Sequence, residues 1–233
     1  MSEPLPAPWA DVLRYLDGIG YGELYLRGES LERPDRGAPD RGAAAADPAR
    51  RRQLAALAEE ASRCTECRLC RDRRSVVFGS GHPDAELMFI GEGPGAEEDR
   101  QGLPFVGPAG ALLTRIIAAI GMDRREVYIA NMVKCRPPRN RDPEPDEVAS
   151  CRRFLEGQID LVRPRVIVAL GRVAAQALLG TSESLGRLRG RWHEVRGVPT
   201  RVTYHPAALL RYTEYKRPTW QDMQAVRDRL LEG

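Results

Sequence analysis

Long apolar runs, lysine and histidine are what this sequence has least of. No stretch reaches the roughly 18 consecutive apolar residues of a membrane-spanning helix, and no leader of the secretory kind opens it. A cytoplasmic protein without membrane association is therefore expected. Lysine is scarce beside arginine, and the formal net charge is only +3. Such a balance permits an anionic partner without requiring one. Arginine is densest from Gly186 to Arg217, although its company of Ala, Gly and Pro is also what a GC-rich genome produces. With only three histidines, any imidazole chemistry has few candidates. Five cysteines in a chain without a secretion signal are poor disulfide partners, because cytosolic thiols stay reduced, and ligation of a metal or cluster is the stronger reading.

Large apolar side chains are also nearly missing from residues 28–50, which include Arg33-Pro34-Asp35-Arg36-Gly37-Ala38-Pro39-Asp40-Arg41-Gly42. That stretch cannot bury enough surface to fold and reads as a flexible linker. Before it, residues 1–27 form an N-terminal extension in which Trp9, Val12, Leu13, Tyr15 and Leu16 could line one face of a short helix that docks on the body or on a protein partner. The body, residues 51–233, is long enough for one good core, and a monomer is expected.

Within the body, helix and strand patterns alternate. A helix is predicted over Arg51–Ser62, a strand over Glu86–Ile90, and a helix through Leu112, Leu113, Ile116, Ile117 and Ile120 that stops at Gly121. A strand follows over Val127–Val133, then a helix over Glu144–Val162 with Val148, Cys151, Leu155 and Ile159 on one face. Arg165–Leu170 carries Val-Ile-Val-Ala-Leu, suited to a central parallel strand buried on both faces. A helix over Arg172–Leu179, strands near Trp192–Val195 and Thr200–Thr203, and a last helix over Thr219–Leu231 complete the pattern. The alternation predicts a three-layer α/β/α sandwich around a central, mainly parallel four-stranded sheet, with ligands at the carboxyl ends of the strands.

Two features carry chemistry. Gly91-Glu92-Gly93-Pro94-Gly95 follows a strand and precedes a helix, so its backbone N–H groups could face a ligand oxygen. It lacks the lysine and Ser/Thr of a P-loop and does not fit a dinucleotide fingerprint, and by itself it is equally a tight turn. The cysteines say more. Cys64 and Cys67 form a CxxC pair, Cys135 follows a strand, and Cys151 lies on the inner face of a helix. Four thiolates suit zinc as well as an iron–sulfur cluster, and Cys70 is a fifth thiol that competes, so spacing fixes neither the metal nor the four ligands.

Longer motifs surround these features. The glycine turn runs on through Ala96-Glu97-Glu98-Asp99 to Gly102-Leu103-Pro104-Phe105-Val106-Gly107. Asn131-Met132-Val133-Lys134-Cys135-Arg136-Pro137-Pro138 follows, with Asn140-Arg141 just beyond, and then Tyr204-His205-Pro206-Ala207-Ala208-Leu209-Leu210-Arg211. In this order, over roughly Leu54 to Leu230, the chain closely resembles the family 4 uracil-DNA glycosylases, iron–sulfur enzymes of the uracil-DNA glycosylase superfamily.

The resemblance implies a 4Fe-4S cluster on Cys64, Cys67, Cys135 and Cys151 that serves as a structural staple, with Cys70 a bystander. It implies a monofunctional glycosylase acting on uracil in single- or double-stranded DNA, in base excision repair. Asn131 would read the uracil edge, accepting from N3 and donating to O4, which rejects cytosine. Phe105 would stack on the flipped base. The backbone of Glu92 and Gly93, beside Gly95, would hold O2, and Glu98 would form the pocket wall. His205 would donate to O2 as negative charge moves onto the leaving base; an unperturbed pKa near 6.5 keeps it mostly neutral. Pro206 to Arg211 would form the DNA-binding loop, with Leu209 or Leu210 wedged into the minor groove and Arg211 on phosphate. Other families of the superfamily place an aspartate or asparagine at the Gly93 position to hold the attacking water. Here Glu92, together with Asn140, is the nearest substitute. No arginine- and lysine-rich insertion precedes His205, so turnover, not covalent trapping on DNA, is expected.

A reading from another class is a catalytically silent iron–sulfur damage sensor that binds DNA on the same fold; Glu92, Phe105, Asn131 and His205 argue against it. A phosphate-handling module built on the glycine turn leaves Asn131 and the His205 motif unexplained.

Overall fold

The structure, a computed structural model, describes residues 47–232. The expected docking helix and nearly all of the expected linker lie outside the described residues. The first element, α1 (Pro48–Arg63), starts slightly before the expected Arg51, since a proline is tolerated in a first helical turn.

The sheet is built from the most apolar segments of the chain. After β1 (Ser80–Gly81) come β2 (Leu87–Gly91), β3 (Tyr128–Asn131) and β4 (Val166–Leu170), and every residue of these last three is buried. Strands β5 (Trp192–Val195) and β6 (Val198–Thr203) follow. The order is β1-β3-β2-β4-β6-β5, with β3, β2, β4 and β6 parallel and the two edge strands antiparallel. The expected four-stranded parallel core is present, and antiparallel edges widen the sheet to six strands. A fully buried Val, Ile or Leu side chain contributes about 1.5–3 kcal/mol relative to an exposed one. The Val166-Ile167-Val168 run is therefore enough to commit β4 to the centre.

Seven helices follow α1: α2 (Ala96–Gln101), α3 (Pro108–Ala119), α4 (Pro145–Val162), α5 (Arg172–Leu179), α6 (Leu185–Leu188), α7 (Pro206–Leu209) and α8 (Lys216–Leu231). Strand alternation assigns them to faces. Met88, Ile90, Tyr128, Ala130 and Ile167 pack with Leu155, Ile159 and Val162 of α4 and with Ala174 of α5. Val202 packs on the same side with Ala175 and Leu188. Its neighbours Arg201 and Thr203 point to the opposite face, where both bond to Asp222 of α8. The predicted three layers result.

The parallel strands end nearly level. Gly91 is in register with Asn131, and the pairing continues past the strand ends through Met132 N–H to Gly91 O (2.9 Å) and Val133 N–H to Glu92 O (3.1 Å). Gly171, after β4, donates to Thr203 O at 2.9 Å. The glycine turn, Asn131 and the segment leading to His205 therefore meet at one carboxyl edge, where ligands bind in open α/β sheets.

Candidate active site

Glu92, Gly93, Gly95, Glu98, Phe105, Asn131, Asn140 and His205 all line one pocket of about 310 Å³ at that edge. This volume lies at the small end of ligand pockets. Arg141 and Pro137, which stand in the motifs but were assigned no role there, also line it.

Its floor depends on a missing Cβ. A Cβ on Gly91 would lie 2.4 Å from Asn131 Oδ1 and 2.8 Å from Phe105 Cζ, so only glycine lets amide and ring come together over the strand end. Asn131 is 1% exposed, yet its Oδ1 has no hydrogen-bond partner among the described residues. Buried acceptors are nearly always paired, and leaving one unpaired costs about 1–3 kcal/mol. Asn131 therefore brings an unsatisfied acceptor to the pocket wall. Behind it, Lys134 Nζ donates to Asn131 O at 2.8 Å and to Gln158 Oε1 at 2.5 Å, and Gln158 Nε2 donates to Phe78 O at 2.9 Å. This buried lysine, whose pKa desolvation pushes down to about 8, locks the asparagine backbone.

The aromatic wall is held under strain. Phe105 has φ +52°, a left-handed conformation that costs a non-glycine residue of order 1–3 kcal/mol and persists only where its surroundings impose it. Glu98 imposes it from one side, its Oε1 accepting from Val106 N–H at 2.9 Å and Gly107 N–H at 3.0 Å. Arg124 holds the other side, donating to Pro104 O at 2.7 Å and Thr114 Oγ1 at 3.0 Å. Glu98 thus shapes the wall by fixing the loop that carries Phe105. Arg124 sits in an ordinary Asp-Arg-Arg turn, which gives a sequence reader no signal.

His205 is the N-cap of α7, and its Nδ1 accepts from Ala207 N–H at 3.1 Å. In the neutral ring the proton must then be on Nε2, leaving that nitrogen as a donor. Burial lowers its pKa to about 4, with the Glu98 charge opposing. Neutrality is thus more firmly set than an unperturbed imidazole would give. Its ring lies 5.5 Å from that of Phe105.

Glu92 has the opposite perturbation: burial first, then the nearby Asp142 carboxylate, raise its pKa to about 7 against the pull of Arg172. Arg172 is itself paired with Asp142 at 2.6 Å. Asn140 and Arg139 are consecutive left-handed residues, with φ +56° and +55°, and Asn140 Oδ1 accepts from Arg136 Nε at 2.8 Å. Glu92 and Asn140 share the pocket without a direct hydrogen bond among the described residues. Arg141 is fixed by a two-pronged bond to the buried Glu147 (2.7 and 2.8 Å), which Arg68 also reaches at 3.0 Å. A Cβ on Gly93 would meet Val133 Cγ2 at 2.8 Å, so no side chain fits there unless Val133 moves.

The segment expected to bind DNA, Pro206 to Arg211, is the single turn of α7 and its exit. Pro206 and Leu209 are buried, the latter 1% exposed, whereas Leu210 is 50% exposed and Arg211 lines the pocket. Leu209 therefore belongs to the core, and of the two leucines only Leu210 is exposed.

Cys64, Cys67, Cys135 and Cys151 line a second cavity, together with Cys70. Two donors already point at the sulfurs: Lys134 N–H to Cys151 Sγ (3.2 Å) and Arg73 Nη1 to Cys135 Sγ (3.3 Å). Cys70 Sγ has an acceptor of its own in Thr65 O at 3.9 Å. Burial raises the thiol pKa of Cys67, Cys135 and Cys151, the last to about 11. Among the described residues no group of three or more His, Cys, Asp or Glu side chains is arranged to hold a metal ion.

The family model described as the uracil DNA glycosylase superfamily matches residues 78–224, and the chain belongs to that superfamily. Within it the chain falls in the type-4 family. It is 43% identical over 183 residues to the type-4 uracil-DNA glycosylase of Saccharolobus solfataricus, a match covering 75% of this chain and 85% of that one. The type-4 enzyme of Thermotoga maritima is 43% identical over 177 residues, covering 73% and 91%, and that of Archaeoglobus fulgidus 40% over 178 residues, covering 73% and 89%. A type-5 uracil-DNA glycosylase of Thermus thermophilus is 37% identical over 118 residues, covering 44% and 53%.

Proposed function

We propose that this protein hydrolyses the N-glycosidic bond of deoxyuridine in DNA, releasing uracil and leaving an abasic site as the first step of base excision repair. The observation that carries this reading is the unpartnered Asn131 Oδ1, buried in a pocket beside an aromatic ring and a neutral imidazole. Uracil supplies what the amide lacks. Its N3–H donates to Oδ1 while O4 accepts from Nδ2. Cytosine offers an unprotonated N3 and an amino group instead, so both bonds fail.

Phe105 stacks on the flipped base, and the backbone N–H groups of Glu92 and Gly93 hold O2. As the bond from C1′ to N1 breaks, its electron pair moves onto the uracil ring, and His205 Nε2–H donates to O2 more strongly than in the ground state. One such preorganised donor is worth about 2.7–4 kcal/mol. The sugar, oxocarbenium-like at this point, is captured by water. Glu92, with a pKa of about 7, is poised near neutrality to accept that water's proton. Leu210 enters the gap left in the duplex and Arg211 contacts phosphate.

Cys64, Cys67, Cys135 and Cys151 are proposed to hold a 4Fe-4S cluster, with Cys70 outside it. The fit is supported by the shared cavity, by N–H donors aimed at two of the sulfurs, and by buried thiols for which deprotonation is costly without a metal. When bound, the cluster cross-links the ends of α1 and β3 to α4. We further propose that the enzyme acts as a cytoplasmic monomer on single- or double-stranded DNA, with residues 51–233 as the catalytic body behind an extension and linker. Among the described residues no helix is long and apolar enough to cross a membrane.

The direct test is to incubate the full chain with an oligonucleotide containing one uracil and then cleave abasic sites. A break at the uracil position is expected; an intact strand refutes the activity.

A further inference from the structure

The turn that leaves α7 presents three side chains with different surroundings. Arg211 lines the pocket, Leu210 is half exposed, and Tyr212 is 49% exposed. Backbone bonds fix this turn, from Tyr212 N–H to Ala208 O at 2.9 Å and from Tyr215 N–H to Tyr212 O at 3.3 Å. The Tyr212 ring is also supported from beneath. It lies 5.4 Å from the ring of Tyr215 at 55°, and Tyr215 in turn stacks on Tyr204 at 4.1 Å and 5°. The Arg189 guanidinium covers Tyr204 at 4.3 Å. Arg189 Nε donates to Asp222 Oδ2 at 2.9 Å and its Nη2 to Pro218 O at 2.8 Å. Asp222 is 1% exposed and also accepts from Arg201 Nη2 at 3.0 Å and Thr203 Oγ1 at 2.9 Å. A chain of packed groups thus runs from a buried carboxylate to one open aromatic face.

We propose that Tyr212 is a stacking platform for a nucleobase of the DNA strand next to the flipped uracil, a binding subsite separate from the uracil pocket. The proposal rests on the DNA-directed reading above. A base that leaves the stack deprives its neighbour of a stacking face, and the Tyr212 ring, one residue on from the pocket-lining Arg211, replaces it. A ring already immobilised by Tyr215 loses little further freedom on binding. Stacking is tolerant of sequence because every base has a π-face, as a repair enzyme meeting uracil in any context requires. Arg211, the adjacent residue, carries the charge suited to the phosphate, which leaves the uncharged Tyr212 ring to the base.

The test is a thermodynamic cycle on affinity. The full chain, Tyr212→Ala and Tyr212→Phe are titrated with a single-stranded oligonucleotide carrying a non-hydrolysable 2′-fluoro deoxyuridine. A second oligonucleotide has both neighbours of that residue replaced by base-less nucleotides. Tyr212→Ala should bind the first about tenfold more weakly, with an unchanged salt slope, and should bind the second as the wild type does. Tyr212→Phe should stay within about twofold of wild type on both. Wild-type affinity of Tyr212→Ala for the first oligonucleotide overturns the platform. So does an equal loss on both, which marks a structural role. Uracil release is scored separately, so a failure there falls on the glycosylase reading while the cycle still decides the platform.

Discussion

Glu92 and His205 share a pocket but respond oppositely to pH. The Glu92 carboxyl, held at about 7 against 4.5 in an unperturbed chain, keeps in the folded state a proton that the unfolded state gives up between those values. Its contribution to stability is therefore present below pH 4.5 and lost as pH rises through 7. Glu92→Gln should raise the melting midpoint at pH 8 and leave it unchanged at pH 4. If Glu92 takes the water's proton, single-turnover uracil release should rise with an apparent pKa near 7 in the wild type and lose that limb in the variant. A variant with wild-type rate and profile removes Glu92 from the chemistry. His205, at about 4 in the fold against 6.5 free, takes up its proton first in the unfolded chain, so it costs stability progressively as pH falls from 6.5 to 4 and nothing above. His205→Ala should slow single-turnover release by about 10²–10³-fold with the visible cluster absorbance intact. The motifs placed both residues at the pocket, but their ionisation was not legible, because it depends on burial and, for Glu92, on Asp142 and Arg172 from other parts of the chain.

At the scale of elements, the glycine turn works by what it leaves out. Gly93→Asp introduces the carboxylate that other families of the superfamily use, but its Cβ would stand 2.8 Å from Val133 Cγ2, on the segment that follows Asn131. We expect that variant to lose activity, and a gain in single-turnover rate would contradict the steric account. Glu98→Ala leaves the Val106 and Gly107 N–H groups without an acceptor and frees Phe105 from its strained φ. A stability loss of about 1–3 kcal/mol in chemical denaturation is expected, with a raised KM. The strands and long helices were legible because β2 and β4 are unbroken apolar runs and α3 repeats at helical spacing. Strand β1 was not, since two residues leave no pattern. Neither was the inward turn of Leu209, because a helix of one turn has no periodicity to separate it from Leu210. Arg124 and Lys134 were missed as supports because each bonds a backbone carbonyl and a distant side chain, to which no motif points.

For the whole molecule, the two cavities are tied by one short segment. Asn131 floors the pocket, and Lys134 and Cys135, just beyond it, line the cysteine cavity. Arg68, between Cys67 and Cys70, joins Arg141 of the pocket lining on the Glu147 carboxylate. Loss of the proposed cluster should therefore loosen the pocket edge at Asn131 without removing any group from it. Cys135→Ser is expected to lose the visible absorbance, lower the melting midpoint and weaken uracil discrimination, whereas Cys70→Ser keeps all three; loss of absorbance in Cys70→Ser would reassign the ligands. We propose that the orphaned Asn131 carbonyl reads uracil. This role is tested most directly by single-turnover base release from matched oligonucleotides carrying uracil or cytosine, using wild type and Asn131→Ala. The wild type should release uracil and leave cytosine in place, and Asn131→Ala should release uracil at least about 100-fold more slowly. Comparable release of both bases by the wild type, or an undiminished rate in Asn131→Ala, would contradict it.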